Sequence, residues 1–178
     1  GFRKIHLEVA KLGKSLEILH CVFFPDPCYD LPIFGADLVV NSNNISAGIV
    51  DLSPVGKHLP DSLISQMRSL KVSKFTEPGK LPEWGFIFSP YVAFIRPVDF
   101  LEEKSFLELI DQYLSLLLSL LVKVQRDEIN SLDAMCRLNY QKRYCLNQKR
   151  NDKTRGILTK FFGSSWADEY INKILFEC

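Results

Sequence analysis

Four ionisable residues, His6, Glu8, His20 and Asp37, stand in segments that otherwise alternate between apolar and other positions. His6 and Glu8 are two apart, so in an extended chain they share one face. His20 sits inside "LEILHCVFF" and Asp37 inside "IFGADLVV". A carboxylate beside an imidazole in apolar surroundings has coupled, shifted titrations, and such a pair is suited to giving and taking protons. Blander roles also fit the pattern. A lone strand histidine is often a hydrogen-bonded core residue, and Glu8 fits a solvated face. For Asp37, between Ala36 and Leu38, the bland role is weaker, because an unpaired buried carboxylate costs on the order of several kcal/mol. The pattern alone leaves a structural and a catalytic cluster both open. The remaining histidine, His58, lies in the loop "GKHLP" and reads as solvated.

The elements that must position these residues follow from periodicity. Residues 2–11 alternate, with Lys4, His6, Glu8 and Ala10 on one face and Arg3, Ile5, Leu7 and Val9 on the other. Residues 16–24 form a second strand, with Leu16, Ile18, His20, Val22 and Phe24 together, stopped by Pro25-Asp26-Pro27. Residues 33–40 form a third, with Ile33, Gly35, Asp37 and Val39 together, and residues 45–52 a fourth. Short connections at Gly13-Lys14-Ser15 and Asn41-Ser42-Asn43-Asn44 make these an antiparallel meander. Groups on neighbouring strands then converge if they share a sheet face. Beyond the meander the pattern predicts a helix over 60–70, a polar loop over 71–82 and a strand over 86–95. Helices follow over 101–124, 131–162 and 165–176, with Gly156 a weak point in the middle one and Gly163 separating the last two. Strands first and helices after indicate an antiparallel sheet covered by helices.

The chain has 178 residues, is 47% hydrophobic, 24% charged and carries a formal net charge of +1, enough for one domain with a substantial core. It opens Gly-Phe-Arg in a strand pattern, so an N-terminal segment is expected to precede it. The five cysteines (Cys21, Cys28, Cys136, Cys145, Cys178) are odd in number and show no Cys-x-x-Cys, which reads as reduced thiols in a cytoplasmic compartment and not as metal ligands. The most apolar run, 113–122, is too short to span a bilayer, so no membrane is expected. Dinucleotide, P-loop, nucleophile-elbow and zincin motifs are all missing. A polar run, "QKRNDKTR" (148–155), falls within the predicted middle helix. It fits a solvated face, or an anion clamp through Lys153 and Arg155. No aromatics interleave it, so nucleic acid is not indicated.

Four stretches carry a resemblance: "FRKIHLEVAKLGKSLEILHCVFFPDPCYDLPIFGADLVV", "SAGIVDLSP", "WGFIFSPYVAFIRP" and "NDKTRGILTKFFGSSWADEYINKILFE". In these the chain resembles the ferredoxin-dependent bilin reductases over nearly its whole length, with a weak stretch over 55–80. The resemblance implies an α/β three-layer α/β/α sandwich with a central antiparallel sheet, acting as a monomer. It implies biliverdin IXα as substrate, bound between sheet and C-terminal helices, and reduced ferredoxin as one-electron donor. It also implies bilin radical intermediates and no metal or organic cofactor. By position, it gives Asp37 and His20 the central proton-handling roles, and Glu8 the role of acid toward the D-ring vinyl group. His6 joins the hydrogen-bond network, Ser46, Gln148 and Lys153 lie near the propionates or pocket rim, and Asp152 is an aspartate on the helical side. Glu8, His20 and Asp37 together imply the four-electron route to phycocyanobilin. The alternatives are a two-electron product or phycoerythrobilin, and a pigment-binding protein without activity. A family arginine just before "LPEWG" has no counterpart at Gly79-Lys80, where Lys80 offers a point charge without the bidentate fork.

Overall fold

The computed structural model describes residues 1–177. Four long strands, β1 (Phe2–Leu12), β2 (Leu16–Pro25), β3 (Ile33–Asn41) and β4 (Asn44–Ser53), and a short β5 (Ala93–Ile95) form one sheet in the order β1-β2-β3-β4-β5. Every neighbouring pair is antiparallel. The β1–β2 turn uses Gly13 at φ 65°, and the β3–β4 turn uses Ser42 and Asn43 at φ 50° and 71°. Two consecutive positive φ values give a turn whose twist matches the strands it joins, and asparagine tolerates that conformation best among residues with a side chain.

Helices cover both faces, giving the three-layer α/β/α sandwich. On one side α2 (Phe100–Leu121), supported by α1 (Asp61–Ser69), lies over β3 and β4. Its inner side chains Phe106, Leu109, Tyr113 and Leu117 meet Phe34, Ala36, Val50 and Leu52 of the sheet in one buried cluster. Asp99 starts α2 by accepting the Glu102 N–H. Such a cap is worth about 1 kcal/mol. Gly48 is required by close approach, since a β-carbon there would come within 2.3 Å of the Phe106 ring. On the other side α3 (Leu132–Gln148), α4 (Asp152–Phe162), α5 (Ser164–Glu169) and a π-helix (Tyr170–Leu175) pack on Val22, Phe24 and Ile33.

Three expectations need correction. The strand expected over 86–95 survives only at its end. A 3₁₀ turn, Glu83–Ile87, follows Pro82, and Ser89 and Tyr91 donate their N–H groups to the Asp51 carboxylate and the Ser89 hydroxyl, not to a neighbouring strand. The helix expected over 131–162 is two helices. It breaks at Asn151, whose side chain accepts the Lys153 and Thr154 N–H groups, while Gly156 continues inside α4. The last helix changes to π winding after Glu169. Cys21, Cys28 and Cys136 are free thiols, and Cys178 lies outside the described residues. Among the described residues no helix is long and apolar enough to cross a membrane.

Candidate active site

Strand register settles which ionisable groups meet. Glu8 pairs with His20, and His20 with Asp37, so the three lie in one row across β1, β2 and β3 on the face beneath α3–α5. The next row on the same face runs His6, Val22, Gly35, Asp51. Above these rows lies a cavity of about 730 Å³. That size suits a small-molecule site. Glu8, His20, Asp37 and Asp51 line its floor, and Trp84, Phe88, Tyr144, Leu158 and Phe176 supply its apolar walls.

His20 Nδ1 is hydrogen-bonded to the Asp37 carboxylate, and its Nε2 is buried with no hydrogen-bond partner among the described residues. Phe176 packs edge-on against the His20 ring at 6.1 Å. Burial alone would pull the imidazole down. The Asp37 charge and hydrogen bond, with Glu8 adding to them, outweigh it and hold His20 above its ordinary value. His6 goes the other way. Burial, and then the neighbouring His20, pull it below its ordinary value, while Glu8 opposes them. His6 Nε2 stands 3.5 Å from the Glu8 carboxylate, and the His6 and His20 ring centroids are 5.6 Å apart. One imidazole therefore favours its charged form beside one that favours its neutral form.

The other expected residues are spread around this floor. Ser46 lines the cavity, and its hydroxyl donates to Val39 O at 2.9 Å. Gln148 closes α3 and donates to the Tyr144 hydroxyl at 2.9 Å. Asp152 and Lys153 open α4 at the cavity's edge. The polar run therefore straddles a helix break and does not ride one helix. Arg155 is not part of a clamp here: it pairs with Asp168 and donates to Lys149 O. His58 is exposed, as expected. Gly79 fits a tight spot, since a β-carbon there would stand 2.5 Å from the Phe94 ring. Lys80 lines the cavity together with Arg96, a second cation at that rim.

Sequence reasoning missed Asp51, Tyr144 and Tyr170. Asp51 is buried and accepts from the Ser53 hydroxyl (2.6 Å), the Ser89 N–H (2.9 Å) and the Ser89 hydroxyl (2.5 Å). Burial pushes its carboxyl up to about 6, against these bonds. Its signal was available: "GIVDLS" places a carboxylate in an apolar strand just as "GADLVV" does. Tyr144 is fully packed under Gly35, and burial raises its hydroxyl well above the ordinary value. Tyr170 donates to the Glu8 carboxylate from the π-helix. No periodicity marks either tyrosine.

A sheet floor bearing three carboxylates and an imidazole, with His6 in the adjoining row, under an apolar roof has the size and lining to fit a large, mostly apolar ligand. The model of the ferredoxin-dependent bilin reductases matches residues 1–177, and the chain belongs to that family. Similar relatives are named phycocyanobilin:ferredoxin oxidoreductase. That of Prochlorococcus marinus (strain MIT 9313) is 52% identical over 177 residues, covering 99% of this chain and 67% of the relative. That of Synechococcus sp. (strain CC9605) is 48% identical over 178 residues, covering 72% of the relative. The chain thus spans about two thirds of the length of the first of these. Its fold is also similar to that of phytochromobilin synthase from tomato, solved in complex with biliverdin. The TM-score is 0.80 at 22% identity, over 98% of this chain and 65% of that one.

Proposed function

We propose that this chain binds biliverdin IXα between the sheet and α3–α5 and reduces it to phycocyanobilin with electrons from reduced ferredoxin. The observation that carries the reading is the row Glu8, His20, Asp37 beneath an apolar cavity, with a buried His20 Nε2 that has no partner among the described residues. A buried imidazole nitrogen left unpaired is costly, and the pyrrole and lactam groups of a bilin are polar partners of the right kind.

A four-electron reduction that adds hydrogen across two double bonds takes up four protons. Electrons arrive singly, so the pigment passes through radical states, and each state needs a proton source within reach. His20, which the Asp37 charge and hydrogen bond shift toward its charged form against its burial, faces the middle of the floor. Glu8, one strand away, serves a second position on the pigment, and His6 supports it from the neighbouring row. The apolar walls exclude water, which strengthens every charge interaction within. At the rim Lys80, Arg96 and Lys153 face the ends where propionates emerge, with Ser46 and Gln148 as neutral partners and Asp152 on the helical side.

The chain is incubated with biliverdin, ferredoxin and a reducing system, and the pigments are separated by chromatography. Phycocyanobilin is the expected product. A two-electron bilin or phycoerythrobilin would move the assignment within the family, and tight binding of unchanged pigment would make the chain a bilin carrier.

A further inference from the structure

The π-helix brings to Glu8 a residue that sequence pattern does not mark. Winding over Tyr170–Leu175 is wide enough that the Phe176 N–H reaches Ile171 O at 3.1 Å. Such winding is uncommon and recurs at functional sites because it re-aims side chains. Here it turns Tyr170, Leu175 and Phe176 into the cavity wall. The Tyr170 hydroxyl donates to Glu8 Oε2 and lies 3.5 Å from His6 Nε2. The Tyr170 ring stacks on Trp166 at 4.7 Å with the planes 13° apart, and Trp166 packs on Phe162 at 4.5 Å. Burial first, and then the Glu8 hydrogen bond and charge, push the phenol above its ordinary value, so it stays protonated and acts as a donor.

Glu8 needs such a partner. Its side chain is long, flexible and 27% exposed, and its contact with His6 is at the outer limit of a hydrogen bond. A phenol has few rotatable bonds, and one clamped by a stacked indole has few orientations left. We infer that Tyr170 is a positioning residue, whose hydroxyl fixes the Glu8 carboxylate over the cavity while the Phe162–Trp166 stack fixes Tyr170. The inference rests on the reading of Glu8 as a proton donor and adds the group that aims it.

The test is a double-mutant cycle of the parent, Tyr170→Phe, Glu8→Gln and the double variant. Removing only the hydroxyl keeps the stack. Tyr170→Phe lowers kcat by about tenfold or more, as misplacement of a reacting group does, with KM within about twofold. In the Glu8→Gln background the same change costs nothing further. An equal factor in both backgrounds, or Glu8→Gln turning over like the parent, overturns the inference. If the parent reduces no bilin, the catalytic reading fails by itself, and the cycle is read in the absorption band of bound biliverdin. A band shift from Tyr170→Phe that vanishes in Glu8→Gln supports the inference, and one that persists overturns it. A parent that neither reduces nor binds biliverdin overturns both readings.

Discussion

The two faces of the sheet are built from the same alternating strands and have opposite contents. Toward α2 the middle strands present Cys21, Phe34, Ala36, Leu38, Val50 and Leu52, all buried, and the Phe106 ring sits where Gly48 leaves room for it. Toward α3–α5 the same strands present His20, Asp37 and Asp51, with His6 and Glu8 beside them on β1. One face closes by filling its space with side chains. The other keeps helices away from its centre and leaves a cavity over polar groups, packing tightly only at Val22, Phe24 and Ile33. We propose that the first face carries stability and the second the proton chemistry. Substitutions on the two faces should therefore separate in kind.

The largest effect is expected at the polar row. His20→Gln keeps an amide in place of the ring but removes the titrating proton, and turnover with biliverdin and reduced ferredoxin is expected to fall on the order of 10²–10⁴-fold. The urea midpoint should move little. Phe106→Ala does the reverse: it empties the dry face and should cost about 3–5 kcal/mol in denaturant unfolding, with turnover per folded molecule retained. A variant on either face that fails in both measurements would blur the comparison.

Asp51 sharpens it, because it is a fully buried polar-face carboxylate that accepts three hydrogen bonds from two serines. Its folded value of about 6 lies above the unfolded 3.8, so the folded state holds the proton more tightly. Stability from this group is present below pH 4 and is lost as pH rises through about 6, amounting to about 3 kcal/mol. His20, also raised, loses its contribution in the same direction but above 6.5. In Asp51→Asn the decline in unfolding free energy between pH 4 and 6 should flatten, while any decline above that window persists. An unchanged slope would remove Asp51 as its source. The smallest effect is expected from Gly48→Ala. Its methyl must displace the Phe106 ring, at about 1–3 kcal/mol, read as a lower melting midpoint with the product unchanged.

Much of this was legible before any coordinates. Alternation and turn residues put the four long strands within a residue or so of their ends, and the face containing His20 and Asp37 followed from parity. Periodicity could not show that strands one to three align in register to make a row of Glu8, His20 and Asp37, since register is set by turns and bulges. The strand expected over 86–95 was misread because Phe86, Phe88 and Val92 imitate a strand, while Asp51 takes the backbone N–H of Ser89, a long-range contact with no local signal. The helix break has a local signal in "QKRNDK", where Asn151 caps α4, while Gly156 imitates a break and stays helical. Tyr170 was hidden because an aromatic in a helix reads as core until the winding is known to change beneath it.

Asp37→Asn separates binding from proton chemistry in two paired measurements: biliverdin affinity by absorption titration, and single-turnover reduction with reduced ferredoxin. Affinity is expected to stay close to the parent's while the reduced pigment is lost, because asparagine fills the same space but lacks the charge that shifts His20 toward its charged form. Parent-like reduction by Asp37→Asn would contradict this.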